Sequence, residues 1–290
     1  MENKMEEISS QRKLEALEEN GTLIRKDGKT FLQLDCENAK ELSMKWGEKL
    51  YPFTKTGKKW ILELPFSTPV NYVQICVDGQ EVLSPELPIA HGYGRPYNYI
   101  ELPDEDGLFE LRDVPHGTLT REFYKSKISD NWEKLIVYLP PCVPSAGLPV
   151  LYLQHGFGES EISWSTTGKV NLLMDNLIAA GKIKPFAIVM GNGMVKQRID
   201  GELKLNRALY GQMLVEEILP MLEKKYQFGG SKEKRGMAGL SMGSVQTTRT
   251  ICEHPELFSE VGLFSGFLRH RIVGDEEHDG IISKACEQSY

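Results

Sequence analysis

The chain reads MAGLSMG at Met237–Gly243, where an apolar strand meets a helix predicted over 244–253. A G-x-S-x-G motif alone arises by chance, but this strand and helix place Ser241 on the sharp turn that carries the nucleophile in some enzymes. Gly239 and Gly243 suit such a turn because the strand and the helix pass too close for side chains. The motif therefore predicts Ser241 as a catalytic nucleophile, with the helix N-terminus stabilising negative charge. The alternative is an ordinary serine in a glycine-rich turn.

A second glycine-rich segment, HGFG, follows a predicted buried strand. Gly156 and Gly158 allow the backbone at the carboxyl end of this strand to turn its N–H groups towards a site. We expect the N–H groups of Phe157 and Met242 to form an oxyanion hole, the donor pair that stabilises a negatively charged carbonyl oxygen. Because His155 precedes the serine in the chain, we expect it to support this loop through a hydrogen bond and not to transfer a proton.

Around these motifs, short apolar strands alternate with helices of ten or more residues. Such alternation predicts an α/β fold in which helices cover both faces of a parallel sheet. An antiparallel pair of strands over 121–126 and 132–139 comes first. The later predicted strands are 148–154, 186–190, 235–239 and 260–265, and the predicted helices are 170–180, 205–226 and 244–253. We expect the segment 190–206 to line the rim of the substrate pocket.

The part of the chain before this α/β region has a different pattern of apolar and polar residues. Period-2 runs broken by turn signals such as Asp78-Gly79 predict an all-β sandwich over 21–105. At its end, the proline-rich stretch 85–106 is interpreted as linker-like, but it is too aromatic for a flexible tether, so we expect it to pack on a surface. Residues 1–20 form a predicted polar tail, 106–118 a linker, and 119–290 the α/β domain.

Composition excludes several classes of function. The net charge is −7 and the pI is near 5.5, so a basic nucleic-acid-binding face is not expected. No apolar run is long enough for a membrane span, and the acidic start lacks an apolar leader, which predicts a cytoplasmic protein without a membrane partner. The 5 cysteines form no C-x-x-C pair, so a zinc site is not expected. The oligomeric state stays open.

Several separate stretches resemble one bacterial family of α/β-hydrolases. They are the HGFGE motif at 155–159, Ser163-Trp164, the NLLMDNLIAAGKIKP run at 171–185, the motif at 239–243 and the entry segment DVPHG at 113–117. The family contains feruloyl esterases attached to xylanases and enterochelin-type esterases. The resemblance implies ester hydrolysis by a Ser-His-Asp triad, with no metal and no organic cofactor, on a small-molecule or carbohydrate ester. The sandwich resembles, more loosely, the early-set modules related to glycogen-binding domains.

The carboxyl-terminal part departs from the family pattern. In this fold the acid and then the histidine of the triad follow the serine, at the ends of further strands. A further strand–helix–strand unit needs about 30 residues or more, which exceeds the segment 266–290. Neither His254, His270 nor the run 275–279 (DEEHD) is expected to complete a triad. No triad acid or histidine is therefore identified, and we expect an α/β-hydrolase sheet that lacks its last strands, as in a fragment with impaired activity.

Two other functions remain open from the sequence. The first is a non-catalytic carbohydrate-binding or scaffolding protein, in which Trp46, Tyr51, Phe53 and Trp60 of the sandwich would stack on sugar rings. More often such aromatics belong to a core. The second is an acyltransferase of the same fold, because the motifs do not reveal which acceptor the pocket takes.

Overall fold

The computed structural model describes residues 21–103 and 106–266. These residues form two compact units. One contains the described chain up to His91 together with Arg95–Leu111, and the other contains Gly92–Gly94 and the described chain from Arg112 onward. The predicted tail 1–20 lies outside the described residues.

The first unit is built from two antiparallel sheets. Its strands are β1 (Leu23–Lys26), β2 (Lys29–Asp35), β3 (Leu42–Trp46), β4 (Lys49–Pro52), β5 (Thr54–Thr56), β6 (Lys59–Glu63), β7 (Val70–Val77), β8 (Gln80–Val82), β9 (Ile89–Gly92) and β10 (Arg95–Glu101). One sheet has the order β1-β2-β6-β5, and the other has the order β4-β3-β7-β10-β9 with β8 paired to β7. Alternate residues of these strands, such as Leu32, Met44, Ile75 and Ile100, point into one buried core.

Two predictions for this unit have different outcomes. The hairpin at Asp78-Gly79 is confirmed: both residues have positive φ (49° and 81°), as a tight two-residue turn requires, and they join β7 to β8. The linker-like interpretation of 85–106 is wrong, because β9 and β10 lie in this stretch and β10 pairs with β7. Prolines do not exclude strands here, because Pro88 precedes β9 and Pro96 lies near the start of β10, and a strand tolerates proline at both positions.

The four sandwich aromatics pack in or against the core of the first unit. Phe53 and Trp60 are buried in the core of the sandwich. Trp46 and Tyr51 are partly buried and pack against the same core, and the Trp46 ring also contacts the Phe66 ring in a tilted arrangement, with ring centres 4.9 Å apart. These aromatic side chains therefore contribute to the core of the unit, and the carbohydrate-binding alternative stays a prediction.

The second unit contains a mixed six-stranded sheet in the order β11-β12-β14-β13-β17-β18. Its strands are β11 (Thr118–Lys125), β12 (Trp132–Leu139), β13 (Val150–Gln154), β14 (Ala187–Gly191), β17 (Arg235–Leu240) and β18 (Glu260–Phe264). β11 and β12 run antiparallel to their neighbours, whereas β14, β13, β17 and β18 are mutually parallel. Every residue of β14 is buried, as expected of a central strand covered on both faces.

Helices cover both faces of this sheet. They are α1 (Ser163–Thr166), α2 (Val170–Ala179), α3 (Leu209–Met213), a π-helical segment (Leu214–Ile218), α4 (Leu219–Tyr226), a 3₁₀ turn (Lys232–Lys234) and α5 (Met242–Glu253). Val170 and Met174 of α2 pack on one face of the sheet, against Ile188 and Met190 of β14. The π-helical segment packs on the other face through Leu214. No helix among the described residues is long and apolar enough to cross a membrane.

The predicted helix over 205–226 begins later than expected. Leu205 lies instead in a hairpin of β15 (Lys196–Ile199) and β16 (Glu202–Leu205), and the helix begins at Leu209. The hairpin turns at Asp200 and Gly201, whose φ values of 52° and 84° match a tight turn. An Asp-Gly step after an alternating run is a hairpin signal, and it outweighs the helical spacing of the leucines that follow.

A buried carboxylate anchors the segment that leads into this sheet. Asp175 of α2 accepts hydrogen bonds from the Tyr138 hydroxyl (2.6 Å), the Gly117 N–H (3.0 Å) and Nδ1 of His116 (2.9 Å). Nε2 of His116 lies 2.9 Å from the carbonyl oxygen of Arg112. Because both ring nitrogens face acceptors, the protonated ring is favoured, and the hydrogen bond to Asp175 is the main cause that raises the pKa of His116.

Candidate active site

Ser241 lies between β17 and α5 in a strained backbone conformation. Its φ of 50° and ψ of −108° lie outside the regions that most residues other than glycine adopt. Its N–H donates to the carbonyl oxygen of Phe264 (2.9 Å), and its own carbonyl oxygen accepts from the N–H and the hydroxyl of Ser244 (3.0 Å and 2.7 Å). These bonds hold the serine on a sharp strand-to-helix turn, the geometry that exposes a nucleophile at the end of a sheet.

The glycines of the motif are required by close approach of the backbone. A Cβ atom on Gly243 would lie 2.6 Å from the carbonyl oxygen of Gln154 and 2.7 Å from that of His155, at the end of β13. A Cβ atom on Gly239 would collide with Gly243 itself. The first turn of α5 therefore packs directly against the strand ends, which is possible only without side chains at these two positions.

The loop after β13 and the start of α5 offer two unpaired donors. Among the described residues, neither the N–H of Phe157 nor the N–H of Met242 donates to a protein acceptor. The adjacent turn is held by the Gly156 N–H, which donates to Oε2 of Glu159 (2.9 Å), and by Gly158 in a positive-φ conformation (76°). Burial raises the pKa of the Glu159 carboxyl, and the hydrogen bond from Gly156 opposes this rise. Two free N–H groups next to a strained serine suit the stabilisation of an oxyanion.

His155 is buried and uses both ring nitrogens in this loop. Its Nε2 accepts from the N–H of Gly193 (2.9 Å), so its Nδ1 carries the proton and donates to the carbonyl oxygen of Gly156 (2.7 Å). Burial lowers the pKa of His155, which keeps the ring neutral. The side chain thus joins the loop after β13 to the segment after β14.

Two buried glutamines, which belong to none of the sequence motifs, border the same edge of the sheet. Gln246 of α5 donates through Nε2 to the carbonyl oxygens of Gly193 (3.0 Å) and Arg207 (2.9 Å). Gln154 donates to the carbonyl oxygen of Gly191 (3.3 Å). A Cβ atom on Gly193 would lie 2.3 Å from Nε2 of Gln154 and 2.4 Å from Oε1 of Gln246, so both amides enclose this glycine. A glutamine at the end of a buried strand is a sequence signal for such a network.

The segment 190–206, predicted to line the pocket rim, contains the β15–β16 hairpin. Directly after the hairpin, the guanidinium carbon of Arg207 lies 5.2 Å from the centre of the Phe157 ring. This distance is typical of a cation–π contact. Arg207 therefore contacts the residue whose N–H is a candidate oxyanion donor.

Among the described residues of the second unit, no histidine or acid forms a hydrogen bond with the Ser241 side chain. His116 is bonded to Asp175, His155 to Gly193, and His254 lies 3.6 Å from Glu256. His270 and the run 275–279 lie outside the described residues. The described part of the chain also contains no cluster of three or more His, Cys, Asp or Glu side chains that could hold a metal ion.

Comparison with known proteins identifies relatives of one kind. Residues 126–280 match the model of the family described as “Putative esterase”. An endo-1,4-beta-xylanase/feruloyl esterase of Xylanibacter ruminicola is 35% identical over 213 residues, which are 70% of this chain and 29% of that protein. The chain thus spans less than a third of the length of this curated relative.

Solved structures agree in fold. An enterobactin esterase of Shigella flexneri, solved in the presence of 2,3-di-hydroxy-N-benzoyl-glycine, has a TM-score of 0.60 at 13% identity over 91% of this chain and 79% of its own. A ferulic acid esterase of Anaeromyces mucronatus in complex with ferulic acid has a TM-score of 0.51 at 22% identity over 56% of this chain and 62% of its own. At these identities the likeness shows the α/β-hydrolase fold alone.

Proposed function

This chain belongs to the esterase family matched by residues 126–280, and we propose that it is a carboxylic-ester hydrolase that uses Ser241 as its nucleophile. The observation that carries the proposal is the geometry at Ser241. A serine with a φ of 50° follows β17 directly, and the two nearby N–H groups of Phe157 and Met242 have no protein acceptor among the described residues. An esterase of this kind uses an exposed serine as the nucleophile and two free N–H donors to stabilise the negative charge that develops on the carbonyl oxygen.

The proposed reaction has two steps. The Ser241 hydroxyl oxygen attacks the ester carbonyl carbon and gives its proton to a base, while the Phe157 and Met242 N–H groups stabilise the oxyanion. The C–O bond then breaks, the alcohol leaves with a proton, and an acyl-serine remains. Water attacks the acyl-serine, the acid is released and the serine regains its proton. We assign the base to none of the described histidines of the second unit, because His116, His155 and His254 have other partners.

The proposed substrates are feruloyl or acetyl esters of carbohydrates. Support comes from the feruloyl esterase relative at 35% identity, and this chain spans 29% of that relative. The fold neighbours were solved with ferulic acid and with an aromatic acyl-glycine. Aromatic acyl groups are planar and apolar, and the exposed Phe157 ring beside the candidate oxyanion hole offers such a group a stacking surface.

Hydrolysis of matched esters by the purified chain tests this proposal. Methyl ferulate, feruloylated arabinose and p-nitrophenyl acetate would be compared for wild type, Ser241→Ala and the exposed-site control Ser67→Ala. Reaction with a fluorophosphonate, followed by mass spectrometry, would locate an activated serine. The proposal predicts that Ser241→Ala removes both hydrolysis and labelling while Ser67→Ala changes neither. Hydrolysis that persists in Ser241→Ala would exclude this serine as the nucleophile.

Absence of both hydrolysis and labelling in a folded wild-type chain would favour a non-catalytic protein. Unchanged circular dichroism and a cooperative urea transition would establish that the chain is folded. An acyltransferase would be recognised by products in which the acyl group moves to an added alcohol faster than to water. Nothing in the described site favours an acceptor other than water.

A further inference from the structure

Part of one face of the β11–β12 hairpin, near its turn, is exposed in the described chain. Strand register places Phe123 opposite Lys134 and Lys125 opposite Trp132. The intervening Tyr124 and Glu133 are buried on the opposite face. α2 covers the far end of the partly exposed face, where Ile136 and Tyr138 are buried. Six exposed side chains remain, and we call them the hairpin face: Leu119, Arg121, Phe123, Lys125, Trp132 and Lys134.

Two aromatic rings dominate the hairpin face. Trp132 is 68% exposed and Phe123 is 62% exposed, although side chains of this size usually bury most of their surface. The two residues are diagonal neighbours across the strand pair, an arrangement that places their Cβ atoms about 7–8 Å apart. At this separation, the Phe123 ring and the Trp132 ring can each stack against a different ring of an extended polymer that binds this face. Leu119, also exposed, extends the apolar surface along β11.

The charged groups of the hairpin face are all cations. Nζ of Lys125 lies 3.0 Å from Oδ1 of Asp130, and Nζ of Lys134 lies 3.0 Å from Oε1 of Glu161. Arg121, between Leu119 and Phe123 on the same strand, has no ion pair among the described residues. The hairpin face therefore offers a free guanidinium next to Phe123, with Trp132 further along the same face, on a chain whose net charge is −7. This charge contrast favours an anionic partner over a neutral one.

We propose that the hairpin face binds an acidic polysaccharide. Sugar rings would stack on Phe123 and Trp132, because the C–H groups of a pyranose pack well on aromatic faces. A carboxylate on a uronic acid unit would pair with the guanidinium of Arg121, which suits planar carboxylates.

A second copy of the chain fits the hairpin face less well. A two-fold contact between identical hairpin faces would bring the cations of one copy close to those of the other. The hairpin face is also separate from the candidate active site: β12, β14 and β13 lie between β11 and β17 in the sheet. Failure of this proposal would therefore leave the proposed function of Ser241 unaffected.

Binding to matched polysaccharides tests the proposal. Glucuronoxylan, the same material with its carboxyl groups reduced to alcohols, and dextran would be compared by affinity electrophoresis and calorimetry. The proteins would be wild type, Phe123→Ala/Trp132→Ala, Arg121→Gln, and the exposed-site controls Leu50→Ala and Arg249→Gln. Ester hydrolysis of p-nitrophenyl acetate, where present, would serve as a readout independent of the hairpin face.

We expect wild type and both controls to bind glucuronoxylan. The aromatic double variant is expected to bind about tenfold more weakly or worse, and Arg121→Gln to lose the preference over the carboxyl-reduced chain. Small-ester hydrolysis is expected to stay unchanged in all variants. The proposal is overturned if wild type binds no glucuronoxylan, or if the aromatic double variant binds as wild type does. It is equally overturned if the hairpin face instead forms a concentration-dependent dimer that this double variant abolishes.

Discussion

A Cβ atom on Gly239 would lie 2.3 Å from both the carbonyl carbon and the carbonyl oxygen of Gly243. The backbone at the end of strand β17 therefore lies in direct contact with the backbone of the first turn of helix α5, on the two sides of Ser241. This contact fixes the sharp turn and leaves the strained serine backbone no room to relax. Backbone atoms cannot move aside as the end of a flexible side chain can, so the contact makes position 239 specific for glycine.

Gly239→Ala is expected to destabilise the fold and to disrupt the site together. Overpacking typically costs about 1–3 kcal/mol, and a clash with backbone belongs at the upper end of that range. Gly236→Ala is the matched control in the same strand, because a Cβ atom there would meet its nearest neighbours at an ordinary 3.4 Å. Urea unfolding would measure both variants. Equal stability of the two alanine variants would contradict the close contact at Ser241.

His155→Leu tests whether His155 supports the loop or acts as a base. Loss of the ring leaves the buried N–H of Gly193 without its acceptor, which costs about 1–3 kcal/mol. We expect this loss in the free energy of unfolding, with the midpoint of any pH–rate profile unchanged. His254→Leu, at a partly exposed position, is expected to change the unfolding free energy by less than about 0.5 kcal/mol. Activity as low as in Ser241→Ala, with stability unchanged, would instead identify His155 as the base.

The parts of this fold that follow local rules were predictable. The alternation of buried strands and helices predicted the α/β unit, and the Gly-x-Ser-x-Gly motif predicted the turn at Ser241, because both patterns depend on residues close in sequence. The β15–β16 hairpin was missed although Asp200-Gly201 gives a turn signal, since the leucines that follow have helical spacing. Local patterns compete, and tertiary contacts decide between them.

Contacts between distant residues were beyond prediction. The hydrogen bond from Gln246 to Gly193 joins residues 53 positions apart, and no local pattern indicates that they meet. The same holds for Asp175, which accepts from His116 59 positions away. Both polar groups are buried, so their partners depend on how α2 and α5 pack on the sheet.

The pair of His116 and Asp175 predicts a pH-dependent stability. Asp175 raises the pKa of His116 in the folded state above its unfolded value of about 6.5. A raised folded pKa means that the pair stabilises the fold fully below about pH 6.5, and that this stabilisation is lost as the pH rises through the folded pKa. His116→Gln, which keeps a donor but does not titrate, is expected to lose this pH dependence.

Urea unfolding of wild type and His116→Gln from about pH 5.5 to pH 9 would measure the effect. The stability difference between the two proteins is the quantity to follow, because it cancels the opposite contribution of His155, whose pKa burial lowers. We expect this difference to shrink as the pH rises. A difference that stays constant, or that grows with pH, would contradict a protonated His116 in the folded state.

Arg207→Gln tests whether the cation–π contact positions Phe157 for catalysis. The guanidinium carbon lies 5.2 Å from the centre of the Phe157 ring, and both side chains are exposed, so we expect the unfolding free energy to change by less than about 1 kcal/mol. The N–H of Phe157 is proposed to act on the oxyanion, which exists only near the transition state. A loosened loop should therefore lower kcat by roughly two- to fivefold and leave KM nearly unchanged. Arg198→Gln is the matched control, because that guanidinium donates to the carbonyl oxygen of Gly201 in the β15–β16 hairpin (2.7 Å). A higher KM with kcat unchanged would show instead that Arg207 contacts the substrate directly.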